Sequence, residues 1–149
     1  MKQNAWIRIC GEHYVDGQWM EPVITETRGR YIFRNGAHYL QYSESGAQEE
    51  DSAESLIRFT DSMLRVNKKG SVLSELLFIP GKTTAGSFGG GTGVLTMEMR
   101  TDQLVLVEKE ELIEISAEYA MLAGGSEAQK SRVRITVIPE GGTEWEHSV

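Results

Sequence analysis

Residues 23–43 read VITETRGRYIFRNGAHYLQYS, and this stretch decides the fold. On both sides of Asn35-Gly36 the side chains alternate with a period of two, as they do in strands that have one buried face. Asn-Gly accepts the positive φ angles of a type I′ turn, which joins two antiparallel strands directly. The stretch therefore predicts a β-hairpin with strands at Val23–Phe33 and Ala37–Ser43.

The same alternation recurs along most of the chain. Turn signals such as Asp16-Gly17 and Asn67-Lys68-Lys69-Gly70 separate the alternating segments, and Thr101-Asp102 is expected to be a further hairpin turn. Many short strands at close spacing predict an all-β antiparallel meander, either a barrel or a sandwich. The other predicted strands are 6–10, 56–59, 63–66, 72–79, 94–99, 103–107, 112–122 and 132–138.

Residues 108–122 also carry a competing helical pattern. Their glutamates and alanines favour helices. However, Ile113 and Met121 fall off the apolar stripe that a helix would form here. Alternation from Ile113 to Met121 places Glu114 and Glu118 together on the other face, so we expect a strand.

The length of 149 residues predicts a single domain over residues 1–149. Residues 45–54 are small, polar and acidic, which is typical of a mobile loop. Residues 140–149 are expected to be a polar tail.

The charge and the cysteine content indicate which binding partners and which cellular compartment to expect. The 22 acidic residues outnumber the 15 basic ones, so the net charge is −7. Nucleic acids and anionic membranes attract clustered bases, so neither is expected as a partner. The single cysteine, Cys10, excludes an internal disulfide. The N-terminal residues lack the apolar stretch of a secretory signal, and we expect a cytoplasmic location.

Residues 80–93, PGKTTAGSFGGGTG, contain features of phosphate-binding loops. A Walker loop needs a glycine five residues before Gly-Lys, where this chain has Leu76. A dinucleotide fingerprint needs its third glycine where Val94 stands, and a nucleophile elbow needs its first glycine where Ala85 stands. The glycines are therefore interpreted as a bend, a bulge or a close backbone approach in a strand, and no nucleotide cofactor is expected.

The histidines predict neither a metal site nor an enzyme. His13, His38 and His147 are widely separated, and no metal-binding spacing occurs. The best acid–base candidates are His38 and Glu44. Six residues along one strand span roughly 20 Å, which prevents direct pairing within that strand.

Four polar residues are the candidate ligand-binding residues: Arg30, Tyr42, Glu44 and Arg65. Alternation alone leaves two arrangements open. If the arginine face is outside, these are solvated strand charges. If the four converge inside a barrel, they form a satisfied polar network or bind an anion, because a guanidinium donates two parallel hydrogen bonds to carboxylate or phosphate.

Several segments carry a family resemblance. TRGRY at 27–31, NGAHYLQYSES at 35–45, TGVLTM at 92–97 and the Arg65–Gly70 hairpin resemble the YwiB-like family of uncharacterised bacterial proteins. The resemblance covers roughly Ile7 to Val137 and implies a lipocalin-like (calycin) fold. We therefore expect an up-and-down meander closed into a barrel of about 8–10 strands. The resemblance implies no established activity and supplies no catalytic residues.

Two functions are expected of such a barrel. The first is a binding protein that takes a small anionic or apolar molecule in or at the mouth of the barrel, since eight-stranded barrels hold one small ligand or are filled by side chains. The alternative is a non-catalytic interaction module with a solid barrel, acting through its outer face on a protein partner or as a homodimer. Neither requires a cofactor or a metal.

Overall fold

The computed structural model describes residues 3–44, 53–70, 73–90 and 93–141. Over these ranges the chain forms eleven strands and no helix, and so has no helix long and apolar enough to cross a membrane. The strands are β1 Gln3–Val15, β2 Gln18–Trp19, β3 Val23–Arg34, β4 Ala37–Glu44, β5 Ala53–Phe59, β6 Leu64–Gly70, β7 Leu73–Phe78, β8 Thr83–Gly90, β9 Gly93–Glu108, β10 Ile113–Ala123 and β11 Ser126–Pro139.

The strands close into one barrel. Each strand from β3 to β10 pairs antiparallel with the next in sequence, and β1 pairs with both β3 and β11. The short β2 pairs only with the end of β1, so ten strands form the closed ring. This confirms the predicted all-β, up-and-down barrel and excludes the sandwich.

The Asn35-Gly36 turn has the predicted geometry. Asn35 has a φ of 52° and Gly36 a φ of 79°. Arg34 pairs with Ala37 directly across the turn, so the β3–β4 register follows from this dipeptide.

The predicted turn at Thr101-Asp102 is wrong, because β9 runs unbroken through both residues. Thr101 is fully buried, and its backbone N–H donates to the Lys82 carbonyl at 3.1 Å. The Asp102 carboxylate accepts a hydrogen bond from Arg100 Nε at 2.7 Å. On β10, Glu118 pairs with Gln103 and Tyr119 with Thr101, so Asp102 is an extra residue at a β-bulge and the strand continues through it without a turn.

The glycine-rich stretch forms a strand that was not among the predicted ones. β8 pairs with β9 from Thr83 to Gly90. A Cβ built on Gly86 would lie 3.1 Å from the Leu76 side chain and 3.2 Å from the Met99 side chain. Here glycine permits close packing within the sheet, and residues 91–92 lie outside the described ranges.

Residues 108–122 are extended, as predicted. β10 covers Ile113–Ala123, and Ile113, Ile115 and Ala117 are buried on one face. The hydrophobic alternation therefore outweighs the helix propensity of the glutamates and alanines.

The predicted loop and tail are only partly described. Residues 45–52 and 142–149 lie outside the described ranges. Ala53 and Glu54, expected in the loop, belong to β5 and pair with Gly70 and Lys69. In the tail, the Glu140 backbone N–H donates to the Asn4 carbonyl at 3.0 Å.

Strand alternation builds the core inside the barrel. β5 shows it most clearly, since Ala53, Ser55, Ile57 and Phe59 are buried while the residues between them are exposed. Burying one large apolar side chain contributes about 1.5–3 kcal/mol. The largest fully buried side chains are Tyr31, Phe59, Phe78, Ile7, Leu40, Ile57, Leu64, Met99, Ile113, Ile115, Ile135 and His38.

Candidate functional site

The four predicted site residues do not come together inside the barrel. Arg30 and Arg65 are exposed on the outer face, whereas Tyr42 points inward and is 5% exposed. Arg30 pairs with Gln41, so the next residue, Tyr42, faces the opposite side of the sheet. Glu44 ends β4, and its side chain lies outside what the structure describes. The interior convergence is therefore wrong, and a role of these residues in binding stays a prediction.

Arg30 and Arg65 nevertheless line one groove. It has a volume of about 510 Å³, lies on the outer face of β3 to β6, and is called the outer groove below. Its apolar floor is formed by Ile32, Tyr39 and Leu56. Its cationic lining consists of Arg30, Arg34, Arg58 and Arg65.

The strand register arranges the outer groove in two rows. The first row runs across four strands as Ile32, Tyr39, Arg58 and Arg65. The second row runs across the same strands as Arg30, Gln41, Leu56 and Asn67. Directly paired residues of an antiparallel sheet share a face, so each row presents its side chains to the groove.

The first row places two arginines side by side. Arg58 lies directly opposite Arg65 on the neighbouring strand. The Arg58 guanidinium carbon also lies 5.6 Å from the ring centroid of Tyr39, which is a cation–π distance. Like charges directly opposite each other destabilise a sheet, so this pairing is expected to be less favourable than one with a neutral or acidic residue.

No described acidic residue neutralises this charge. Within residues 3–44, 53–70, 73–90 and 93–141, none of the four groove arginines forms a salt bridge. The nearby Glu54 carboxylate accepts a hydrogen bond from Gln41 instead. The outer groove is therefore a cationic region on a chain whose net charge is −7.

His38 lies in the core rather than in an accessible site. It is 1% exposed and stacks on Phe59, with 4.8 Å between ring centroids. Its Nδ1 lies 2.8 Å from the Tyr31 hydroxyl, and its Nε2 lies 3.7 Å from Glu108 Oε2. Burial lowers the pKa of His38 to about 4, so the ring is neutral at pH 7.

A second histidine contact was not expected from the sequence. His13 Nδ1 lies 2.7 Å from Ser131 Oγ, across the β1–β11 pairing. Ser131 is 1% exposed and lies directly opposite Tyr119 on β10, whose pKa is raised by burial. A substrate cannot reach this buried hydroxyl, so the contact is interpreted as internal hydrogen bonding. In the described part of the chain, no three His, Cys, Asp or Glu side chains are close enough to hold a metal ion.

Arg58, opposite Arg65, was not among the residues predicted from the sequence to form a site. The turn at residues 60–63 could have indicated this pairing, because it joins Phe59 and Leu64, which lie directly opposite each other. Counting one residue away from the turn on each strand pairs Arg58 with Arg65. The Arg58 and Arg65 side chains point outward because their chain neighbours Phe59 and Leu64 are buried. The alternation in the sequence favoured this burial but did not determine it.

Comparisons with known proteins support the fold. The family model described as "Domain of unknown function (DUF1934)" matches residues 7–135. The crystal structure of the YwiB protein from Bacillus subtilis is similar, with a TM-score of 0.78 over 93% of this chain and 92% of that chain. The two are 20% identical, which shows a shared fold alone. No curated protein matches the chain. These matches confirm the resemblance and the lipocalin-like barrel predicted from the sequence.

Proposed function

This chain belongs to the DUF1934 family, and we propose that it is a binding protein that takes up a small organic anion in the outer groove. Of the anionic or apolar ligand expected in or at the mouth of the barrel, the proposal keeps an anionic one and moves its site to the outer face. Arg30 and Arg65 are the two predicted site residues that it retains.

One observation carries the proposal: Arg58 and Arg65 are directly opposed and lack a described acidic partner. An anion between the two guanidinium groups would convert their repulsion into two charge-assisted interactions. Such hydrogen bonds are roughly twice as strong as neutral ones. The arrangement therefore favours a bound anion.

The floor of the groove favours an organic ligand. Ile32, Tyr39 and Leu56 provide apolar surface beside the arginines, and Leu56 is 46% exposed. The volume of about 510 Å³ falls within the roughly 300–1,000 Å³ usual for small-molecule sites. A ligand that covers the floor would gain hydrophobic stabilisation as well as charge pairing.

The packing of the lumen supports a site on the outside. Tyr31, Phe59 and Phe78 are at most 1% exposed and belong to one continuous core cluster. Close-packed protein interiors leave few voids larger than a water molecule. The groove offers the ligand space without displacing that core.

Native mass spectrometry of the protein purified from its source organism tests the function. We expect a co-purifying small anion whose retention is abolished in the double variant Arg58→Gln/Arg65→Gln. The matched control is Arg8→Gln/Arg134→Gln, which removes two exposed arginines that form ion pairs at 3.5 Å with Glu26 and Glu114. That control is expected to retain the ligand.

Two outcomes would contradict the proposal. In the first, no anion co-purifies, and thermal unfolding at constant ionic strength shows no saturable stabilisation by organic carboxylates or phosphates. In the second, an anion is retained equally by both double variants, which would place its site elsewhere.

A further inference from the structure

The charge of the opposed arginines selects among anions. Arg58 and Arg65 are two basic residues at directly opposed positions of neighbouring strands on the outer face. A single carboxylate neutralises one of them, whereas a phosphate monoester carries roughly −1.5 to −2 charge near pH 7. Its three terminal oxygens can also accept hydrogen bonds from both guanidinium groups at once. A phosphate monoester therefore matches the pair in charge and in acceptor number.

The residues beside the pair select the organic part of the ligand. Tyr39 lies directly opposite Arg58, and Ile32 lies directly opposite Tyr39. A group attached to phosphate between the arginines would lie against this apolar part of the row. Inorganic phosphate would leave the floor uncovered and forgo that contact.

Acidic residues limit how far the anionic part can extend. Glu54 accepts a hydrogen bond from Gln41, a member of the second row. Glu75, on β7, lies opposite Asn67, another member of that row. A second depression of about 260 Å³ shares Arg65 and Asn67 with the outer groove but includes Glu75 in its lining. A polyanion running across β7 would meet this carboxylate, so the arrangement favours one phosphate group over a chain of them.

We propose that the ligand of the outer groove is a phosphate monoester with a planar or apolar organic part. The inference rests on the proposed anion-binding function. Arg58 and Arg65 bind the phosphate, and Tyr39, Ile32 and Leu56 contact the organic part.

Calorimetric titration with four probes at pH 7.5 and constant ionic strength tests the ligand class. The probes are phenyl phosphate, inorganic phosphate, benzoate and phthalate. We expect phenyl phosphate to bind at least about tenfold more tightly than each of the other three, because it alone combines a single dianionic phosphate with a ring. Inorganic phosphate tests whether the organic part contributes, and phthalate tests whether two carboxylates replace the phosphate.

Variants connect the titration to the groove. Arg58→Gln and Arg65→Gln are each expected to weaken phenyl phosphate binding about tenfold or more, since each loses charge-assisted hydrogen bonds. Tyr39→Leu is expected to reduce the advantage of phenyl phosphate over inorganic phosphate. Arg8→Gln, an exposed arginine on β1, is the control and is expected to leave the affinity within about twofold.

The outcomes separate this inference from the proposed function. If benzoate or phthalate binds as tightly as phenyl phosphate, and Arg58→Gln weakens that binding, the phosphate class is wrong and anion binding stands. If inorganic phosphate binds as tightly as phenyl phosphate, the organic part is wrong. If none of the four probes binds, or if the arginine variants bind all of them unchanged, both proposals fail. Circular dichroism of each variant establishes that a lost affinity is not a lost fold.

Discussion

At His38, burial decides the protonation state. The ring is 1% exposed and its pKa is lowered to about 4. In the unfolded chain an ordinary histidine has a pKa near 6.5, so the unfolded state binds a proton that the folded state excludes. The stabilisation from the neutral ring is therefore complete above about pH 6.5 and is lost as the pH falls towards 4.

His38→Phe tests this linkage because it keeps an aromatic ring beside Phe59 and removes the titrating group. Between pH 7 and pH 4, the wild-type free energy of unfolding should fall by about 3 kcal/mol more than that of the variant. Denaturant titrations at several pH values measure the difference. At pH 7 the variant should be less stable, because the Tyr31 hydroxyl loses its contact to Nδ1. Equal pH dependence of the two proteins would contradict the assigned state of His38.

Gly29 is required by a close approach between strands. A Cβ at this position would lie 2.5 Å from the Gln41 carbonyl oxygen and 2.7 Å from Ile7 Cδ1. Gly29→Ala should lower the free energy of unfolding by about 1–3 kcal/mol, because the backbone oxygen cannot move aside freely. Gly11→Ala is the control, since nothing lies within 4 Å of a Cβ built there. Thermal unfolding that ranks the two variants in the opposite order would contradict the packing at Gly29.

At the scale of elements, the opposed arginines of the β5–β6 hairpin should lower the stability of the ligand-free protein while they provide anion binding. Removing one of two directly opposed like charges should stabilise the ligand-free protein by about 0.2–1 kcal/mol. Arg65→Gln should therefore raise the melting temperature without ligand while weakening anion binding. Differential scanning calorimetry of the ligand-free variant measures the first effect. A lower melting temperature would show that Arg65 contributes contacts that the opposed pair does not explain.

The hairpins differ in how much of their structure the sequence predicted. Asn35-Gly36 determined both the turn and the register, because few dipeptides adopt two positive φ angles easily. β8 was not predicted because its glycines have no side chains to alternate. Gly86 is required there by its packing against Leu76 and Met99, which are distant in sequence. The turn predicted at Thr101-Asp102 is wrong because Asp102 is accommodated as the extra residue of a β-bulge opposite β10, where its carboxylate pairs with Arg100.

At the scale of the whole molecule, closure of the barrel determines which face of each strand points inward. Alternation showed that Arg30 and Tyr31 lie on opposite faces but could not say which face points inward. Closure buries Tyr31 completely and exposes Arg30, which separates the predicted site residues Arg30 and Tyr42. The outer groove combines side chains from four strands, so its composition follows from the register of three hairpins and from no single motif.

Mapping an anion onto the arginine side chains tests the central claim most directly. In nuclear magnetic resonance spectra of the labelled protein, titration with phenyl phosphate should shift the Nε–Hε signals of Arg58 and Arg65 most strongly. Those of Arg8 and Arg134, on other faces of the barrel, should change little. The largest shifts at inward-facing residues such as Tyr42 and Ser55, or no saturable shift at any signal, would contradict binding in the outer groove.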